Sequence, residues 1–145
     1  HLNGEEIRAV HMPAAHTDGD SVIRFVDADV IHAGDLVFYG LYPFIDGASG
    51  GSVDGVIAAL RQILEMAGEG TRIIPGHGPL IGRAELAGYL EMIEIVRARV
   101  ARLKAAGKSL EEVVAAQPTA EYDPEWGGGY FKPAQFVGFV YETLP

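Results

Sequence analysis

The chain has 145 residues, with 11 Lys and Arg against 20 Asp and Glu and a formal charge of −9, which argues against nucleic acid or an anionic membrane as its main partner. At 48% hydrophobic and 21% charged residues it is composed to bury a core, so disorder does not describe it as a whole. Cysteine is absent, which removes disulfides, thiolate zinc sites and Cys nucleophiles together and leaves His and carboxylates to hold any metal.

The length suits one domain, and no apolar run approaches the roughly 18 residues of a membrane span. The first element is a strand, Glu6-Ile7-Arg8-Ala9-Val10. It is followed by two short β-rich runs, Ser21 to Val26 and Val30 to Ala33, which the turn chemistry of Asp27-Ala28-Asp29 joins as a hairpin. A further apolar run, Leu36-Val37-Phe38-Tyr39, leads into a Gly-, Pro- and Asp-rich loop from Gly40 to Gly51, long enough to carry function.

From there the period becomes helical. Ser52 reads as an N-cap, and Val53, Val56, Ile57, Leu60, Ile63 and Leu64 recur at spacings of three and four, ending near Gly68. Thr71-Arg72-Ile73-Ile74 is a short strand, expected to stop at Pro75-Gly76-His77-Gly78-Pro79, where Gly and Pro permit neither helix nor ladder. Strand, helix, strand is the grammar of a layered α/β protein. A long amphipathic helix then runs from Arg83 to about Ala106 with Gly107 at C′, its Glu91, Glu94 and Arg97 reading as a solvated face. Ser109 and Glu112 open another helix with a capping box, and a loop holding Trp126-Gly127-Gly128-Gly129 leads to a last helix from Pro133 to Glu142.

Three turns at predicted strand ends carry metal-capable side chains: Ala15-His16-Thr17-Asp18-Gly19-Asp20, His32-Ala33-Gly34-Asp35 and Pro75-Gly76-His77-Gly78. Loops beyond the carboxyl ends of strands in an α/β sheet are where ligands bind, because the strand fixes the side chain and the turn exposes it. Neutral His nitrogen with hard Asp oxygen suits zinc or a similar divalent ion. Each signal has a plain structural reading as well: Asp18 and Asp20 as Asx-turn formers, and His32 as a packing residue facing the core or a neighbouring strand. Thr17 and Asp20, beside His16, are candidates to hydrogen-bond a ligand side chain. Tyr39, Tyr42, Phe44 and Asp46, in and beside the loop after Asp35, are candidates to line a substrate pocket or to anchor packing.

Read in order, these segments resemble the metallo-β-lactamase superfamily of metallohydrolases: His16 in His16-Thr17-Asp18-Gly19-Asp20, Asp35 in Gly34-Asp35, and His77 in Pro75-Gly76-His77-Gly78. The resemblance implies that His16 belongs to the first of two zinc ions, that Asp35 bridges the pair and that His77 belongs to the second. An Asp at the bridging position looks more like the glyoxalase II, lactonase and phosphodiesterase branches than the β-lactamases that use Cys there. The family's His-x-His-x-Asp-His loop, which lies upstream of everything matched, has no counterpart in residues 1–145. The chain is therefore expected to be the C-terminal half of the family's αββα sandwich, a mixed sheet covered by helices.

The resemblance implies a metal-dependent hydrolase acting on a small-molecule ester, lactone, thioester, amide or phosphoester, inactive as this isolated half. Three donors cannot enclose two metals, although they could in principle hold one. The expected partner is the N-terminal half of the same fold or a second copy of this chain, since the sheet face meant for that partner is intolerable in water. The competing class is a non-catalytic half-fold that homodimerises without an assembled metal site. The sequence carries no sign of compartment.

Overall fold

The structure is a computed structural model and describes residues 3–145; His1 lies outside them. Four strands form one mixed sheet in the order β1 (Ile7–Met12), β2 (Asp20–Phe25), β3 (Val30–Phe38) and β4 (Arg72–His77). The first two pairings are antiparallel, and β3 to β4 is parallel, with α1 (Val53–Met66) as the crossover. That is the connection a parallel pair requires, because a tight turn cannot return the chain to the same end.

Period-2 alternation decides which side chains reach the core. Val22, Ile31 and Ile73 are fully buried on the helix side, with Met12 and Ala33 close to it. On that side α1 lies against β3, and α2 (Arg83–Ala105) packs on α1. Val53, Val56, Leu60 and Ile63 of α1 meet Leu86, Tyr89, Ile93 and Val96 of α2 in one continuous core. The tail is α3 (Leu110–Ala115), the single turn α4 (Asp123–Trp126) and α5 (Pro133–Thr143), which returns to α2 and α3 and buries Phe136, Val137 and Val140.

The caps behave as their chemistry dictates. Ser52 Oγ accepts the Gly55 N–H at 3.0 Å, and Ser109 and Glu112 exchange hydrogen bonds as a capping box. Gly107 takes φ +78° just past the end of α2, where an L side chain would be strained. The polar face of α2 is only partly solvated: Arg97 holds Asp54 of α1 through two bonds of 2.8 and 3.1 Å, and Arg61 of α1 reaches Glu94.

Two strands differ from expectation. The run broken at Gly34-Asp35 is one continuous strand, because Gly34 adopts φ +57° and absorbs a register shift without ending the ladder. Likewise β4 continues through Pro75 to His77; Pro75 pairs with Gly34 at that same shift, where a missing N–H costs no regular bond. His32 is exposed, not a packing residue, since it alternates with buried Ile31 and Ala33.

The face opposite the helices has no cover among the described residues. Register places Ile7, Phe25 and Val30 in one row across it, and Ala9, Ile23, His32 and Ile74 in the next. Ile74 is 36% exposed, and Leu80 just beyond β4 is 56% exposed.

Candidate metal centre

His16 sits in the loop between β1 and β2, and that loop is clamped by backbone. The Ser52 N–H donates to the carbonyls of Ala14 and Ala15, Ser52 Oγ donates to Ala14 O, the Asp46 N–H donates to His16 O, and the Asp18 N–H donates to Ser49 O. The start of α1 lies so close that a Cβ on Gly55 would stand 1.7 Å from Ala14 O, and one on Gly51 would stand 2.2 Å from His16 O. Glycine at both places is thus a packing requirement.

The imidazole is oriented from one side. Its Nδ1–H donates to the Phe44 carbonyl at 3.0 Å, which leaves the Nε2 lone pair pointing away, the arrangement a metal-binding His adopts. Nε2 lies 3.9 Å from Asp35 Oδ2, and the side chain is 14% exposed. The other oxygen of the same carboxylate, Oδ1, lies 3.5 Å from His77 Nε2. His77, at the end of β4, is held by its ring, which stacks on Phe38 at 4.5 Å and 16°. A Cβ on Gly76 would stand 2.2 Å from Asp35 Oδ1. The Gly-His-Gly turn therefore leaves open the space the carboxylate occupies.

The three predicted donors converge, and they do so as two pairs sharing one carboxylate. Both separations are too long for good hydrogen bonds. Two ligand atoms each about 2.0–2.1 Å from a common tetrahedral ion stand roughly 3.4 Å apart, close to the Asp35–His77 separation and shorter than the Asp35–His16 one. Among the described residues no group of three or more His, Asp or Glu closes around a single point. The arrangement is one carboxylate with an imidazole facing each of its oxygens.

Thr17 and Asp20 brace the loop. The Thr17 N–H donates to Asp20 Oδ2 at 2.7 Å, and Thr17 Oγ1 accepts the Gly19 N–H. His16 instead donates its ring hydrogen bond to the Phe44 carbonyl. Asp18 Oδ1 accepts the Ala14 N–H, and the exposed His11 donates from Nε2 to Asp18 O at 2.6 Å. Asp46 caps the 3-10 turn Gly47–Ser49, and the Ser49 hydrogen bond to its carboxylate lowers its pKa below the usual value against the opposing effect of burial.

Beside the donors lies a cavity of about 360 Å³, with His16, Asp35 and His77 at one end and Leu41, Tyr42, Phe44, Tyr130 and Phe131 among its walls. Tyr42 is in this wall; its hydroxyl donates to Asp123 Oδ1 at 2.7 Å, and burial chiefly raises its pKa. Tyr39 is not in the wall: its ring packs edge-on against Trp126 at 5.4 Å and borders a separate groove with Glu85 and Met92. Trp126 is 5% exposed and structural. Sequence reasoning missed Phe38, Tyr130 and Phe131 as neighbours of the donors. The clamp did have a signal: Gly51 and Gly55, four apart across a helix start, mark a face that another backbone approaches.

No protein-family model matches the chain, and no curated protein is similar to it in sequence. Solved structures do match. The sec-alkylsulfatase Pisa1 from Pseudomonas sp. superposes with a TM-score of 0.76 at 18% identity, over 98% of this chain and 24% of its own. A metallo-β-lactamase from Pontibacter korlensis gives a TM-score of 0.54 at 14% identity, over 65% of this chain and 44% of its own. The B3 metallo-β-lactamase BLEG-1 gives 0.54 at 19%, over 64% and 44%. The chain thus has part of a metallo-β-lactamase fold. It spans less than half the length of each of these proteins.

Proposed function

We propose that this chain supplies one side of the active site of a metal-dependent hydrolase of the metallo-β-lactamase superfamily, and that the complementary N-terminal half of the same fold supplies the rest. The observation that carries the reading is the Asp35 carboxylate, whose two oxygens face two imidazoles, one from the β1–β2 loop and one from the end of β4. His16 Nε2, Asp35 and His77 Nε2 would hold the ions, expected to be a zinc pair with further donors from the other half. When bound, a divalent cation there supplies Lewis acidity, polarising the scissile bond and acidifying water.

The residues of this chain do the positioning. The Phe44 carbonyl keeps His16 in the tautomer with Nε2 free, Phe38 holds the plane of His77, and the backbone of Gly76 makes room for Asp35. The uncovered sheet face supports a protein partner: rows containing Ile7, Phe25, Ile23 and Ile74 would be buried against it, and apolar surface of that kind marks an interaction site. The bonds within reach of this chemistry are ester, lactone, thioester, amide and phosphoester; the match over nearly the whole chain to a sec-alkylsulfatase adds alkyl sulfate to the panel worth testing.

The test is to produce the chain alone and with its complementary half, then measure zinc content and hydrolysis over that panel. The assembled protein is expected to hold about two zinc ions and to cleave at least one class, with both properties lost in His77→Ala; the chain alone shows neither. An assembled protein without metal, or hydrolysis indifferent to His77→Ala, contradicts the reading. A stable zinc-binding dimer of this chain alone would make a second copy the partner instead. A metal-free dimer would favour the non-catalytic half-fold.

A further inference from the structure

The cavity beside the donors has a composition that selects among substrates. Phe44 stacks on Phe131 at 5.1 Å and 16°, and Phe139 meets both rings edge-on from behind. Tyr130 stands edge-on to Phe131 at 5.2 Å and is 89% exposed. The segment carrying these two rings lies directly on the opposite wall: a Cβ on Gly129 would stand 2.5 Å from Leu41 Cδ2. No Lys or Arg lines the cavity among the described residues, and the charged group at its end is the Asp35 carboxylate.

We propose that this chamber seats an uncharged aromatic or bulky alkyl group of the substrate, with Tyr130 and Phe131 setting the specificity. The assignment of that group to a hydrolysed substrate rests on the function proposed above; the binding itself does not. Flat apolar walls offer offset and edge-to-face contacts to a ring. The aromatic wall itself carries no Lys or Arg, so a charged group seated against Phe44 and Phe131 would lose its hydration without a side-chain partner. At about 360 Å³ the chamber is near the lower end of ligand pockets, which run from roughly 300 to 1,000 Å³, so it suits one ring system or a short branched chain. Phe44 joins the two parts of the site, since its ring forms wall while its carbonyl orients His16. A group seated against that wall would lie next to the end that carries the donors.

The test uses the assembled protein and two uncharged alcohols that differ only in apolar bulk, 2-naphthol and methanol, with naphthol binding read by its fluorescence and methanol binding by competition against it. Naphthol is expected to bind at least tenfold more tightly than methanol, and about tenfold less tightly to Phe131→Ala than to the parent. Tyr130→Ala, at an exposed position that leaves the core intact, is expected to weaken naphthol about threefold. Equal affinity for the two probes, or naphthol binding unchanged in both variants, overturns the proposal. Kinetics separate it from the hydrolase reading: the ratio of kcat/KM for 2-naphthyl acetate over methyl acetate should fall about tenfold in Phe131→Ala. If naphthol binding follows Tyr130 and Phe131 while no substrate is cleaved, the hydrolase reading fails and the apolar subsite stands. If esters are cleaved with that ratio unchanged, the subsite fails and the hydrolase stands.

Discussion

The two faces of the sheet are drawn from the same strands and the same residue types, yet they have opposite surroundings. Val22, Ile31 and Ile73 have no exposed surface, whereas Ile74, one residue along from Ile73, is 36% exposed and Ile23, beside Val22, is half-buried. What differs is cover: α1 and α2 complete one side, and nothing among the described residues completes the other. The candidate metal centre shows the same asymmetry. His16 is held by α1 and Phe44, while the His77 side chain is half exposed and its ring rests on Phe38. One side is complete, and the other is where the proposed partner would pack.

Substitutions at paired positions can break that comparison. The largest effect is expected on the covered face, where Ile31→Ala should cost roughly 2–5 kcal/mol by removing buried methylenes and leaving a cavity, as read by chemical denaturation. Gly55→Ala comes next. Its methyl would collide with the Ala14 carbonyl, so backbone must shift at a cost of about 1–3 kcal/mol; zinc affinity of the assembled protein should fall with it as His16 is displaced. Thr71→Val should cost about 1–2 kcal/mol, because the Thr71 hydroxyl donates to Asp29 and accepts the Gly68 N–H.

That last site also carries a pH signature. The Thr71 hydrogen bond, with help from Arg24 and against burial, holds the Asp29 carboxyl below its ordinary value of 3.8. A depressed folded-state pKa stabilises the fold above the ordinary value, and the stabilisation is lost as pH falls through the lower folded value. Thr71→Val should therefore flatten the loss of stability below about pH 4 in acid titrations followed by circular dichroism. The smallest effect on the isolated chain is expected from Ile74→Lys on the open face, within about 0.5 kcal/mol. The same change should weaken association with the complementary half at least tenfold, measured by titration calorimetry. Destabilisation of the chain alone as large as that of Ile31→Ala would show that the open face is already part of a core.

Much of this was legible in the residues. The hairpin at Asp27-Ala28-Asp29, the Ser52 and Ser109 caps and the stripes of α1 and α2 follow from local chemistry, and local chemistry prevailed. His16, Asp35 and His77 are legible as candidates from residue type and their Gly- and Pro-rich surroundings, although Asp35 lies within β3 and His77 ends β4, where the sequence predicts turns. What escaped depends on contacts distant in sequence. That β3 and β4 run on through Gly34 and Pro75 follows from their pairing with each other, which neither strand reveals alone. The exposure of His32 depends on which sheet face the helices cover. Tyr39 and Tyr42, three apart, part company because Tyr39 turns to Trp126 and Tyr42 to Phe136 and the cavity. The orienting partner of His16 is a main-chain carbonyl 28 residues away, and a carbonyl carries no mark of its use in the sequence.

The central claim is that His16 and His77 bind metal through Nε2 on opposite sides of Asp35, with His16 Nδ1 kept for Phe44. The most direct measurement is nitrogen NMR of the His side chains during zinc titration of the assembled protein, with this chain alone labelled. Nε2 of both His16 and His77 is expected to shift on metal binding, while His16 Nδ1 keeps its proton and His11 and His32 do not move. Metal binding through His16 Nδ1, or zinc uptake that leaves both histidines unshifted, would contradict the account.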